Sequence, residues 1–238
     1  MSDAVLILFS LITSMLTAIT GVGGGMILIA LMPGFLPAAS IVPVHAMVQL
    51  FSNSSRTLFG WHHLRREFAL AFIVGALAGG LLAAGFTRQI NLEYTPLLIA
   101  GYILFSVWGP KMKFDLPARG ELISIGFLQT ALSMIVGATG PLGQTSLLRR
   151  GLHRDELVVT AAFMMSFTHL IKIFLFALLG FSFVDHWKII LGMSGAVILG
   201  AYIGTHIRYR ISEAIYRKVL RWLLTLLALR MAYITLAG

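Results

Sequence analysis

The chain contains no cysteine and little charge. Only 11% of its residues are charged, and nine acidic residues stand against 18 lysines and arginines. The absence of cysteine excludes disulfides and thiolate metal sites. The scarcity of charge leaves uncharged runs over most of the chain, and no soluble domain fits between them.

Apolar residues take the place of charge. They make up 58% of the sequence, and the mean hydropathy is +0.90. Several of the uncharged runs are long enough to cross a bilayer as helices. We therefore predict an all-α polytopic membrane protein with about eight hydrophobic helical elements. The net charge of +9 is explained by basic cytoplasmic loops, so we expect a lipid bilayer around the chain and no nucleic-acid partner.

The sequence carries an internal repeat. When the second half is laid on the first, Gly21–Met26 falls on Gly137–Leu142. The same shift pairs two polar positions of each half, Asn53 with His169 and Arg56 with Lys172. Duplicated halves are a recurrent way to build secondary transporters, whose site lies between the repeats near the bilayer midplane.

The repeat divides the chain into residues 1–115 and 116–238. Each unit is predicted to hold a re-entrant or broken-helix hairpin followed by three transmembrane helices. In the first unit the hairpin covers about 3–34, and the helices cover about 38–61, 67–86 and 91–110. In the second unit the hairpin covers about 120–150, and the helices cover about 155–181, 187–207 and 213–236.

The basic residues indicate how these units lie in the membrane. If all eight elements crossed it, basic loops would fall on both sides, against the positive-inside rule. If the first element of each unit turns back, these basic residues share one side: Arg65, Arg66, Lys111, Lys113, Arg119, Arg149, Arg150, Arg154, Arg208, Arg210, Arg217, Lys218 and Arg221. As a helix, Pro141–Arg150 reaches only about 15 Å, half of the hydrocarbon core. We therefore predict inverted repeats with both termini outside.

Glycines interrupt each hairpin. A broken helix at mid-membrane is tolerated only where it is buried in protein or lines a wet cavity. The short helix after each break presents free N–H groups and a positive dipole end, which favour an anion. We predict that the breaks bind an anion through Gly23, Gly24, Gly25 and Met26 in the first unit, and through Thr139, Gly140, Pro141 and Leu142 in the second.

Other glycines have a simpler explanation. Gly75 and Gly79 are one helical turn apart, as are Gly200 and Gly204. Small residues at this spacing let two membrane helices approach closely. We expect close packing at these two pairs, and a binding site at the two breaks.

A polar stripe follows each break. On the long helix of the first unit the stripe consists of four residues at helical spacing: His45, Gln49, Asn53 and Arg56. In the second unit His169 and Lys172 take this place, with Lys172 near the middle of its apolar run. A basic residue at the centre of a membrane helix costs about 2.5–3.5 kcal/mol and by default faces a partner or a watery cavity.

The stripes and the breaks together predict one cationic cavity for a small anion. Arg56 and Lys172 attract the anion, while all nine acidic residues lie near element ends. For Arg56 the alternative is a side chain that snorkels to the surface. The fit is completed by Gln49, Asn53, Thr139, Gln144, Thr145 and His169. His45 and His169 are candidate proton carriers, because histidine titrates near neutral pH.

These motifs resemble the sulfite exporter TauE/SafE family of bacterial permeases. The resemblance rests on Gly21–Gly25, on Gly137–Leu142, on Leu147–Leu152 and on the two pairs of polar residues in the stripes. It implies a secondary transporter in the inner membrane that exports sulfite or related organic anions, held between the two hairpins. One departure is a proline that the family often has near Ala30, which stands here at Pro33.

Rival functions are distinguished by what each requires. An anion channel uses the same basic cavity without alternating access, and the sequence does not separate it from a transporter. An enzyme needs a nucleophile, a metal or an acid pair at depth, and the chain has no intramembrane carboxylate. The neighbours His62 and His63 lack metal-ligand spacing. We expect no cofactor and no metal; coupling to protons or sodium, and a homo-oligomer, stay open.

Overall fold

The computed structural model describes residues 2–87, 92–110, 116–207 and 213–237. The structure is 86% helical, and its described residues form no β-strand. This confirms the all-α class. The side chains of residues 2, 92, 118 and 213–217 are not described.

Ten α-helices follow one another through the described residues. They are α1 (Ser2–Thr20), α2 (Gly24–Leu31), α3 (Ala38–Phe59), α4 (Arg66–Thr87), α5 (Thr95–Trp108), α6 (Ala118–Val136), α7 (Gly140–Arg149), α8 (Arg154–Leu178), α9 (Trp187–His206) and α10 (Glu213–Ala237). Short 3₁₀ turns precede α4, α5 and α9.

Five segments of the described chain are long and apolar enough to cross a membrane. These are Asp3–Thr20, Arg66–Thr87, Arg154–Leu178, Val184–His206 and Lys218–Ala237. The 22-residue helix α3 is not among them, because a row of polar side chains lowers its hydropathy. Together the spans make the chain a multi-pass membrane protein.

The helices α1 and α2 form one hairpin, and α6 and α7 form another. In the second hairpin Glu121, near the start of α6, forms ion pairs with Arg149 and Arg150 at the end of α7. In the first hairpin the ring of Phe9 packs edge-on against Phe35, with 6.5 Å between the centroids. The short second arm of each hairpin therefore returns towards the end from which the first arm came.

The two breaks lie at different depths in the bundle. Each first arm has 19 residues and is about 28 Å long. Gly21 lies against Val158, one turn into α8, whereas the carbonyl of Gly137 is bound by Lys172, about four turns further along the same helix. The tips of the hairpins therefore pass each other along α8.

Basic residues gather at one end of the bundle, called here the basic end. The guanidinium of Arg65, just before α4, lies 2.8 Å from Glu156 in the first turn of α8. Arg150 lies over the ring of Phe68, in the first turn of α4. Five of the basic residues that the sequence placed on one side therefore share this end: Arg65, Arg66, Arg149, Arg150 and Arg154. Lys111, Lys113, Arg208 and Arg210 lie outside the described residues, as does the side chain of Arg217.

The glycine pairs pack helices closely, as predicted. A Cβ added at Gly200 or Gly204 of α9 would collide with a carbonyl oxygen of α1. A Cβ added at Gly75 or Gly79 of α4 would collide with a carbonyl oxygen of α6. Each hairpin thus packs its long arm on a glycine face in the other half of the chain.

This contact predicts different effects for two glycines of α9. Gly200→Ala should destabilise the protein by about 1–3 kcal/mol, because the methyl group meets the α1 backbone. Gly195→Ala should be neutral or slightly stabilising, since Gly195 has open space around it and alanine favours a helix. Thermal unfolding in detergent measures both. Equal melting temperatures for the two variants would contradict the packing.

Candidate functional site

A small cavity of about 60 Å³ lies between the two hairpins and the crossing of α3 with α8. Five of the predicted backbone positions line it: Gly23, Gly25, Met26, Gly140 and Pro141. Six of the predicted side chains line it: His45, Gln49, Asn53, Arg56, Gln144 and His169. Residues from both halves of the chain therefore meet around one space.

The polar stripe of α3 forms one wall of the cavity. Its four side chains are buried, and Arg56 is only 3% exposed. Arg56 donates a hydrogen bond to Asn53 Oδ1, while Asn53 Nδ2 donates to the carbonyl of Gln49 (2.7 Å). These bonds align the stripe along the helix, and burial of Arg56 excludes the alternative in which it snorkels to the surface.

Two histidines face each other across the cavity. The rings of His45 on α3 and His169 on α8 are 6.0 Å apart and nearly perpendicular. His45 Nε2 donates to the carbonyl of Gly25 (2.9 Å), because a carbonyl can only accept. The Nδ1 atom of each ring is buried and has no partner among the described residues. Each ring therefore keeps one buried nitrogen that no group in the described part of the chain bonds.

The first break places the N-terminal end of α2 at this space. Gly21 and Gly23 have φ values of +84° and +94°, which residues with side chains rarely adopt. The first bond inside α2 runs from the Ile27 N–H to the Gly23 carbonyl (2.9 Å), so the N–H groups of Gly24, Gly25 and Met26 precede it. Gly24 itself packs against α1 and does not line the cavity.

The second break is capped from within its own hairpin. Thr139 precedes α7, but its hydroxyl donates to the carbonyl of Gln129 on α6 (2.9 Å). The side-chain oxygen of Gln129 accepts the N–H of Gly143 (2.7 Å). Thr139, Leu142 and Thr145 lie outside the lining, and Thr145 donates to the Pro141 carbonyl (2.9 Å). The start of α7 therefore has fewer open donors than the start of α2.

The two hairpins also contact each other beside the cavity. Gln144 of α7 donates through Nε2 to the carbonyl of Gly21 in the first break. Its Oε1 is buried and has no partner in the described part of the chain. Arg154, the first residue of α8, donates to the carbonyl of Ile19 at the end of α1 (2.8 Å).

Lys172 lies behind the second break and does not line the cavity. Its ammonium donates to the hydroxyl of Ser133 (3.0 Å) and to the carbonyl of Gly137 (2.9 Å), and the side chain is 0% exposed. It therefore binds the C-terminal end of α6, where the helix dipole favours a cation.

Sequence reasoning missed some of the residues that build the site. The cavity is also lined by Thr17, Gly21, Val22, Ala138, Val158, Ala161, Ala162 and Met165. The four on α8 are apolar and precede His169 at helical spacing, which was the signal available in the sequence. Gln129 gave no signal, because its role depends on where α7 folds back. In the described ranges no group of three or more His, Cys, Asp or Glu residues is placed to hold a metal ion.

The sequence of the chain also matches a known protein family. The family described as "Sulfite exporter TauE/SafE" matches residues 6–231. The chain belongs to this family. No curated protein and no solved structure matches it. Membership confirms the resemblance that the motifs carry, and it makes this TauE/SafE protein a membrane transporter of sulfite-like anions.

A methyl group at Gly140 tests whether the TauE/SafE cavity holds the anion. Gly140 lines the cavity and has open space around it, so Gly140→Ala should fold normally and reduce anion transport about tenfold, as expected for overpacking of about 1.4 kcal/mol. Gly85→Ala on the exposed side of α4 is the matched control. Transport is measured with purified protein in liposomes. Full transport by the Gly140 variant would show that the anion does not pass through this cavity.

Proposed function

We propose that this protein is a secondary transporter of small, sulfur-containing anions such as sulfite or organosulfonates. It moves them across the bacterial inner membrane by alternating access around the cavity between the hairpins. The single observation that carries this proposal is Arg56, a buried cation that lines a cavity at the start of a broken membrane helix.

The lining suits an oxyanion. The guanidinium of Arg56 presents several donors in one plane, a geometry that matches oxyanions. The N–H groups of Gly25 and Met26 and the positive end of the α2 dipole favour the same anion as Arg56 does. Gln49, Gln144 and His169 add polar groups around the anion.

The cavity also limits the size of the cargo. About 60 Å³ holds only a few water-sized spheres, at about 10–15 Å³ for each. An anion of a few heavy atoms fits this space without rearrangement of the walls. Sulfite and the smallest sulfonates are therefore the preferred substrates, and larger organosulfonates require the hairpins to separate.

Reciprocal packing between the halves supports inverted repeats and alternating access. The long arm α1 packs on the glycine face of α9, and α6 packs on that of α4. The helices α3 and α8 contact each other directly, with Ser54 donating to Ser166 Oγ (3.3 Å). Two units of this kind rock against each other around a central site in many secondary transporters.

The basic end indicates how the transporter lies in the membrane. Basic residues concentrate on the cytoplasmic side of membrane proteins. The basic end therefore faces the cytoplasm in our proposal, and both termini lie outside. The two hairpins enter from opposite sides.

Labelling of single cysteines tests this orientation, and the natural chain contributes no cysteine of its own. Arg66→Cys and Arg150→Cys should react with an impermeant maleimide only after the cytoplasmic side is opened, because Arg150 lies beside the first turn of α4. Lys188→Cys, just inside α9, should react from outside. Labelling of positions 66 and 150 from different sides would contradict the inverted arrangement.

Arg56→Gln tests the anion site directly. The variant should fold and lose about ten- to a hundredfold in sulfite flux, since a charge-assisted bond contributes about 1.5–3 kcal/mol. Arg66→Gln makes the same chemical change at an exposed position over the ring of Trp61 and should transport normally.

Proteoliposomes loaded with sulfite, small sulfonates or carboxylates measure this flux with and without a pH gradient. Exchange of labelled sulfite against unlabelled sulfite should accelerate uptake, as alternating access requires. Undiminished flux in the Arg56 variant would contradict the site. Flux that does not saturate and shows no exchange would indicate an anion channel instead of a transporter.

A further inference from the structure

The second break contains the elements of a cation site, and its cation is the ammonium group of Lys172. Secondary transporters with broken helices coordinate their coupling sodium through unwound carbonyls and the C-terminal ends of half-helices. Here Gly137, which has a φ of +78°, ends α6, and its carbonyl lies at the C-terminal end of that helix. Both it and the hydroxyl of Ser133 accept a bond from Lys172 Nζ.

The surroundings of this ammonium group are polar and dry. Ser133, Thr130, Thr168 and Lys172 are all 0% exposed. The hydroxyls of Thr130 and Thr168 face each other at 3.3 Å in the same contact between α6 and α8, one turn from Ser133 and from Lys172. Carbonyl and hydroxyl oxygens of this kind are the ligands that hard cations prefer.

A basic residue of α8 also binds the helix end at the first break. The carbonyl of Ile19, at the C-terminal end of α1, accepts a bond from Arg154 (2.8 Å). Both long arms therefore end against a basic side chain of α8, where a cation balances the negative end of the helix dipole. Lys172 differs from Arg154 in being fully buried and bound to oxygen atoms of one break.

We propose that the Lys172 ammonium occupies, as a covalently attached cation, the position that a coupling sodium ion takes in transporters with a similar break. It keeps the α6–α7 hairpin in its bent shape through the whole cycle. Transport is therefore independent of sodium, and removal of the ammonium group opens a site for sodium at the carbonyl of Gly137. This inference rests on the proposed function in one respect only, the statement that sodium does not drive transport.

Lys172→Ala tests the proposal without any transport measurement. Sodium between about 1 mM and about 100 mM should raise the melting temperature of the purified variant by about 5 °C or more, because an ion that binds the folded state stabilises it. N-methylglucamine at equal ionic strength should not, since it is too large for the site. The natural protein and Lys188→Ala, which removes an exposed lysine, should show no difference between the two cations.

Flux measurements give a second, independent readout. Sulfite flux through the natural protein should be equal in sodium and in N-methylglucamine. Flux through Lys172→Ala should be reduced about tenfold or more in N-methylglucamine and should return to within about threefold of the natural value in sodium. Recovery by sodium separates an occupied cation site from a general structural role of the lysine.

Two outcomes would overturn the inference. One is a folded Lys172→Ala, or the larger Lys172→Gln, whose stability does not respond to sodium. The other is a sodium requirement in the natural protein, which can be measured even where neither variant folds. If no protein transports any anion, the proposed function fails, while the melting temperatures still decide the role of Lys172.

Discussion

The structure depends on one constraint: a membrane helix that breaks must find partners for its backbone within the protein. The hydrocarbon core of the bilayer offers no water to bind the exposed groups. At the first break Gln144 and His45 bind the carbonyls of Gly21 and Gly25. At the second, Lys172 binds the carbonyl of Gly137, and Gln129 binds the N–H of Gly143. These bonds fix the hairpins and leave the cavity between them.

The same constraint explains why the two breaks are not equivalent. Around the start of α7, Gln129 accepts the N–H of Gly143, and the hydroxyl of Thr139 donates to the carbonyl of Gln129, so these polar groups are bonded within the second hairpin. The start of α2 has no such cap, and Arg56 lies in the lining beside it. In our proposal the half that contains the first break therefore offers donors to the anion, whereas Lys172 of the other half binds its own break. The anion site in our proposal is accordingly asymmetric.

Packing between the halves connects this site to movement. The long arms α1 and α6 lie against glycine faces of α9 and α4, where no side chain separates the backbones. Smooth contacts of this kind allow close approach over several turns. In the proposed cycle each hairpin moves together with the helix of the other half on which it packs, so each moving body contains helices of both halves. The contact between Gln144 and Gly21 changes as these two bodies rock.

The sequence by itself determined the membrane class, the two glycine breaks, the face that unites His45 with Arg56, and the family. Apolar length, glycine and helical spacing are local properties that need no knowledge of the fold. The tertiary structure decided which groups meet across the chain. Lys172, predicted to face the anion, binds the Gly137 carbonyl, and Gln129 caps α7, because both contacts depend on the depth at which the second hairpin turns back. That depth is set by packing between helices distant in sequence.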